Sequence, residues 1–249
     1  MGTPAATTAL SFAGVNKRYG SAAALRDFSL DVTAGQTFGL VGMNGAGKTT
    51  LIKCLLDFTD ADSGTIEIFG TSNRITRARS SLAYLPERFN PPYYLKGKDF
   101  LRYMLDLQEV LYRQEEAERM FTALDLDLSA LAKPVRAFSK GMTQKLGLAA
   151  CLLSRKALYV LDEPTSGLDP KARALLKRQL RAVRDDGRTI FLTSHALADV
   201  DELCDHMAVI HRGELRFAGT PAELRARHRA DSLEQAFLAC IEGDMGLAA

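Results

Sequence analysis

Much of what this chain can be is bounded by what its sequence lacks. Its four cysteines (Cys54, Cys151, Cys204, Cys240) are scattered through 249 residues, with no C-x-x-C pair. That usage suits idle thiols in a reducing cytosol better than a disulfide or zinc framework. No run nears the roughly 20 apolar residues that a membrane-spanning helix requires; the most apolar stretch, Leu146 to Leu153, is far shorter. Met1 to Ala9 are small and polar, unlike a charged-then-apolar leader. A formal net charge of only +2 gives no reason to expect nucleic acid as a partner. There is no internal repeat and no low-complexity tract. What remains is an ordinary globular composition, 47% hydrophobic and 25% charged, in a chain long enough for one large α/β domain or two small ones.

The stretch that organises the rest is Gly42-Met43-Asn44-Gly45-Ala46-Gly47-Lys48-Thr49-Thr50. A short apolar run, Phe38 to Val41, precedes it as a buried strand. Leu51, Ile52, Leu55 and Leu56 follow at helical spacing, predicting a helix over 48–58. Small residues let backbone N–H groups converge on a phosphate chain, and the following helix turns its positive end to the same point. Lys48 is expected to reach the β- and γ-phosphates and the Thr49 hydroxyl to ligate Mg²⁺. Gly42, Asn44, Gly45, Ala46, Gly47 and Thr50 complete the cradle.

Alternating runs predict paired strands over 10–18 and 24–32 and another over 65–70. Apolar runs predict strands at 81–85, 157–161 and 189–193. Between 88 and 153 the pattern is helical. Phe100, Leu101, Tyr103, Met104, Leu105 and Leu107 read as one stripe, 114–126 as a second helix, and Ser139 opens a third after Lys133-Pro134. Further helices are expected over 171–186 and 196–204. Residues 207–211 and 214–217 read as a hairpin through Arg212-Gly213. Strands alternating with helices predict an α/β fold with a mostly parallel core sheet, an antiparallel β part and an inserted α-helical subdomain at about 88–153. The expected division is a flexible 1–9, a nucleotide-binding domain over 10–221 and a short helical tail over 222–249.

Leu158-Tyr159-Val160-Leu161-Asp162-Glu163 is an apolar strand ending in two acids. The first would lie beside the Mg²⁺ held by Thr49; the second could face the γ-phosphate and polarise a water. The whole run from Asp162 to Pro170 (Asp-Glu-Pro-Thr-Ser-Gly-Leu-Asp-Pro) resembles the Walker B and D-loop segment of the ATP-binding-cassette (ABC) ATPases. Ala137-Phe138-Ser139-Lys140-Gly141-Met142 is similar to their signature motif, Thr193-Ser194-His195 to their switch histidine, and Tyr84-Leu85-Pro86-Glu87 to their Q-loop. The resemblance runs in family order from about Leu10 to Pro221.

It implies a P-loop NTPase of ABC type that binds and hydrolyses ATP with Mg²⁺. Two cassettes, identical or paralogous, would pair head to tail, and Ser139 and Gly141 of one would close on the γ-phosphate bound by the other. Glu163 is implied as general base, with His195 and Lys48 as its catalytic companions. Tyr19 would stack on adenine, Asp162 would join Thr49 at the metal, and Asp169 would cross the interface. Such subunits sit at the cytoplasmic face of the inner or plasma membrane by binding an integral-membrane permease.

Two departures from the family pattern matter. The signature reads Phe-Ser-Lys-Gly-Met where Leu-Ser-Gly-Gly-Gln is usual, so Lys140 either adds a cation toward ATP or faces solvent. The Q-loop carries Glu87 in place of glutamine, a carboxylate that can ligate or sense Mg²⁺ directly or through water. Both features, with a closing helix at 232–238, resemble exporter cassettes for drugs, lipids or polysaccharide precursors. A soluble ABC ATPase of DNA repair or translation is the alternative, although such proteins usually carry two cassettes or a long coiled coil. The basic clusters Arg74/Arg77/Arg79 and Arg225/Arg227/His228/Arg229 read as solvated faces, or else as contacts to a partner or lipid headgroups.

Overall fold

Two β-sheets share the chain, and the sequence periods sort residues between them. The computed structural model describes residues 7–242. Its N-terminal part runs β1 (Thr8–Tyr19), β2 (Ala22–Thr33), β3 (Thr37–Val41), α1 (Lys48–Leu55), β4 (Ser63–Ile68), β5 (Thr71–Ser72), α2 (Thr76–Arg79) and β6 (Leu82–Leu85). Three helices follow: α3 (Gly97–Leu107), α4 (Gln114–Ala123) and α5 (Lys140–Leu153). The rest runs β7 (Leu158–Asp162), α6 (Pro170–Asp185), β8 (Thr189–Ser194), α7 (Leu197–Leu203), β9 (His206–His211), β10 (Glu214–Gly219), α8 (Pro221–His228) and α9 (Leu233–Glu242).

The alternating strands make an antiparallel sheet of order β2-β1-β4-β5; the apolar ones make a sheet of order β10-β9-β3-β8-β7-β6. In the second sheet every pairing is parallel except β10 on β9. Strands buried on both faces need apolar residues at every position, and here successive residues serve opposite cores. Tyr159, Leu161, Ile190 and Leu192 join one apolar cluster with Phe100, Leu101 and Phe121 of the helical part. Leu158, Val160 and Phe191 join the other, with Phe12, Phe28 and Leu51. The helical part therefore shares a core with the parallel sheet.

Several boundaries differ from expectation, for local reasons. β1 starts at Thr8, and Ala34 N–H to Thr7 O (2.8 Å) and Phe69 N–H to Ala9 O (2.9 Å) tie residues 7–9 into the sheet. Residues 1–6 and 243–249 lie outside the described ones, so the predicted flexible start and the end of the tail are not addressed there. α1 stops at Leu55 because buried Asn73 donates its amide to Cys54 O (2.7 Å) and Leu55 O (3.2 Å). α4 ends at Ala123, where Asp125 turns left-handed (φ 56°) and Leu126 N–H returns to Phe121 O at 2.8 Å. On α3 the single stripe divides. Phe100, Leu101 and Leu105 are buried while Tyr103 and Leu107 are exposed, since six positions cover more than one helical face.

The cysteines are all free thiols, with Cys54, Cys151 and Cys204 buried. Burial pushes the Cys151 thiol up to about 12, which keeps it inert. The basic clusters are partly neutralised: Arg79 pairs with Asp57 (2.9 Å) and Arg225 with Asp201 (2.5 Å).

Phe191 is where the two sheets meet, stacked on Phe38 at 6.0 Å and lying 6.4 Å from Phe12 of the antiparallel sheet. Phe191→Ala should cost about 3–5 kcal/mol in a urea unfolding titration, and a loss under about 1 kcal/mol would mean that the sheets do not depend on this contact.

Candidate functional site

The phosphate-loop segment leaves β3 at Val41 and enters α1 at Lys48, and two of its glycines are obligatory. Gly47 lies at φ 114°, and a Cβ there would fall 2.6 Å from Ala24 O; one on Gly42 would fall 2.5 Å from Ile210 O. No side chain fits either place. The loop is thus wedged between β2 and β9, with Gly213 N–H also bound to Ala46 O at 2.9 Å. Lys48 is buried and donates its ammonium to Gly42 O (2.5 Å) and Met43 O (3.4 Å). Burial pulls its pKa below the ordinary lysine value, opposed by the charges of Glu163, Asp162 and Glu87.

Those acids arrive from parallel strands. Asp162 ends β7 opposite Thr193 of β8. The Thr193 hydroxyl donates to Asp162 Oδ1 (2.5 Å) and accepts the Glu163 N–H (3.0 Å), so one side chain sets the position of both acids. Glu163 itself is left-handed, φ 50°, an unfavourable conformation of the kind that collects at functional sites. Its Oε2 accepts from His195 Nδ1 (2.8 Å) and from the His195 N–H (3.3 Å), which leaves Oε1 free of both bonds. Burial raises the Asp162 pKa above the ordinary carboxylate value, and the Thr193 hydrogen bond offsets this only in part.

One cleft of about 600 Å³ gathers these groups: Met43 to Thr50 along the loop, then Glu87, Asp162, Glu163 and His195, with Ala24 at its edge. Of the predicted residues, Asn44, Gly45, Ala46, Gly47, Lys48, Thr49, Thr50, Glu87, Asp162, Glu163 and His195 are brought together. Gly42 lies under the loop as the acceptor for Lys48. Tyr19 is exposed at the end of β1, with Lys17 Nζ 5.6 Å from its ring centroid, and does not line the cleft.

Ser139, Gly141 and Asp169 do not line it either. They gather elsewhere. Ser139 caps α5 by accepting from Met142 N–H (3.2 Å), and Asp169 caps α6 by accepting from Ala172 N–H (2.9 Å). The two caps are neighbours: a Cβ on Gly141 would sit 3.5 Å from Gly167 O, and one on Gly167 3.2 Å from Lys140 Cε. Sequence reasoning missed Thr193. Its signal was a hydroxyl directly after the apolar run Ile190-Phe191-Leu192 and immediately before Ser194-His195.

With this geometry in hand, comparison with known proteins is decisive. Residues 25–166 match the ABC transporter family. The chain belongs to that family. It is 38% identical over 204 residues to an uncharacterized ABC transporter ATP-binding protein of Synechocystis, covering 80% of this chain and 57% of that protein. It is also 37% identical to the Nod factor export ATP-binding protein I of Ralstonia nicotianae (88% of this chain, 69% of that one). The Mesorhizobium japonicum protein of the same name is 36% identical (90% and 67%). A solved ATP-binding subunit of an ABC transporter superposes with a TM-score of 0.83 at 28% identity, over 94% of this chain and 99% of that one.

Proteins of the ABC family bind ATP and hydrolyse it to power transport, and this chain carries their ATP-binding domain. Family and relatives alike are named for transport, so the DNA-repair or translation alternative has no support. No helix among the described residues is long and apolar enough to cross a membrane.

The raised Asp162 pKa carries a testable sign. Ionised Asp162 disfavours the nucleotide-free fold, a penalty absent below the unfolded value of about 3.8 and complete above the raised folded one. Without nucleotide or metal, Asp162→Asn should therefore be more stable than the parent at neutral pH. Urea midpoints should show that gap closing as the pH falls toward 3.8. A gap independent of pH would contradict the burial cost assigned to this carboxylate.

Proposed function

We propose that this ABC transporter ATP-binding chain drives an exporter, hydrolysing ATP between two copies held by a membrane permease. The observation that carries this is the division of the motifs. The phosphate loop, Glu87, Asp162, Glu163 and His195 line one cleft, while Ser139, Gly141 and Asp169 collect at adjoining helix caps outside it. A second copy, or a paralogous cassette, supplies its own Ser139 and Gly141 to complete the site. Similarity to Nod factor export proteins supports the export direction.

In this reading Lys48 leaves Gly42 O and Met43 O for the β- and γ-phosphates, a move made easier because those carbonyls are its only hydrogen-bond partners among the described residues. The donors facing the cleft from Thr49, Asp162 and Glu87 are all oxygens, the set that suits Mg²⁺. No ready-made cluster of three His, Cys, Asp or Glu residues exists among the described residues, so phosphate oxygens would complete the shell. When bound, Mg²⁺ would neutralise charge on the phosphates.

Glu163 takes the proton of the attacking water at Oε1, while His195 fixes the carboxylate through Oε2. Tyr19 reaches adenine from the end of β1, and Asp169 meets the second copy. The nucleotide-binding domain runs to 221 and takes in residues 7–9, which are tied into its first sheet, and α9 belongs to the tail that follows it. The permease docks in the groove between the core and the helical part, where exposed Phe58 stands edge-on to Tyr84 (6.1 Å) beside exposed Leu107. That attachment holds the protein at the cytoplasmic face of the membrane.

Glu163→Gln keeps the shape of the site but removes the base. It should bind MgATP, accumulate as a closed dimer in size-exclusion chromatography, and lose turnover by at least about 10²-fold. Near-normal steady-state hydrolysis would remove Glu163 from the role of base.

A further inference from the structure

Two helices leave the catalytic strands and are bolted together away from the nucleotide. α6 begins directly after Asp169, its N-cap, and α7 begins at Leu197, just after His195. Lys177, Arg181 and Arg184, spaced by four and three residues, form a basic row on α6. Asp199, Glu202 and Asp205, spaced by three, form an acidic row on α7 and just beyond it.

The rows meet rung by rung. Lys177 Nζ lies 2.7 Å from Asp199 Oδ1 and 2.5 Å from Glu202 Oε2, Arg181 lies 2.6 Å from Glu202 Oε1, and Arg184 lies 3.2 Å from Asp205 Oδ1. Exposed ion pairs contribute little, but the inner rung is not exposed: the side chains of Lys177 and Asp199 retain only 12% and 10% of their accessibility. Asp205 extends the tie to the central strand, since its Oδ2 accepts the Thr37 N–H at 2.8 Å.

The inner rung is also incompletely satisfied. Asp199 Oδ2 is buried with no hydrogen-bond partner, an unfavourable state for a carboxylate oxygen. Lys177 divides its ammonium between Asp199 and Glu202, and Glu202 has Arg181 as a second partner. Asp199 therefore has an acceptor to spare, and Glu202 keeps Arg181 as a partner if Lys177 shifts toward Asp199.

We propose that Lys177 is a positioning residue that links the Asp169 segment of a chain to its own His195. When a second copy moves the Asp169 segment, α6 moves with it, and the Lys177–Asp199 rung carries that movement to α7 and so to the histidine that holds Glu163. The inference rests on the composite-site reading above, in which Asp169 touches the second copy.

The test uses the full chain with MgATP and compares Lys177→Met, Lys177→Arg and Arg184→Met. Lys177→Met should bind MgATP within about twofold of the parent, lose about tenfold in kcat with little change in KM, and show a less sigmoidal dependence on ATP. Lys177→Arg should recover most of that kcat. Arg184→Met, which removes the outer rung and the local pair with Asp185 but leaves the Lys177 rung, should lower the thermal midpoint without the loss in kcat. The proposal is overturned if Lys177→Met keeps the parental kcat, if Lys177→Arg folds normally without rescue, or if Arg184→Met loses kcat equally. A parent whose activity per molecule stays constant on dilution to monomer would overturn the composite-site reading and this inference with it; a parent whose activity falls on dilution, with an unaffected Lys177→Met, overturns this inference alone.

Discussion

The register of three parallel strands is the constraint on which the site depends. Val41 pairs with Ser194, Leu40 with Thr193, and Asp162 with Thr193, so β3 and β8 end level and β7 ends within one residue of them. The next residues of each strand are therefore neighbours: Gly42 with its loop, Glu163, and His195. Burial on both faces holds that register, because Phe191 and Ile190 serve different cores and a one-residue slip would exchange them. The geometry of the cleft is a consequence of core packing.

Thr193 refines what the register makes possible. Through one hydroxyl it orients Asp162 and fixes the backbone of Glu163, whose left-handed conformation needs outside support. His195 then holds one oxygen of Glu163. The phosphate loop is gripped from the other side, by Ala24 and Ile210 carbonyls that leave no room for a Cβ at Gly47 or Gly42. Lys48, between these two supports, folds back on the carbonyls of its own loop.

The parts legible in the sequence were those in which chemistry restricts residue type. Gly42 to Thr50, Asp162-Glu163 and Ser194-His195 stood out because a phosphate, a metal and a water would each demand particular groups at particular strand ends, and residues from all three segments line one cleft. Two antiparallel pairings, β1 with β2 and β9 with β10, were legible from neighbouring runs, whereas the order of the parallel strands and the pairing of β4 with β1 were not. What escaped depends on partners distant in sequence. The early end of α1 is set by Asn73, the double role of Thr193 by two acids some thirty residues earlier, and the Lys177–Asp199 rung by helices that meet only in three dimensions. The stripe on α3 failed differently, because an apolar residue on a helix can also face solvent, as Tyr103 and Leu107 do.

The central claim is that one chain carries half of a hydrolytic site, with Ser139 and Gly141 reserved for another copy. The most direct measurement is the specific ATPase activity of the purified chain as a function of its own concentration at saturating MgATP. A composite site predicts that activity per molecule falls on dilution, in step with loss of the dimer. Constant activity per molecule, down to concentrations at which the chain is entirely monomeric, would contradict it.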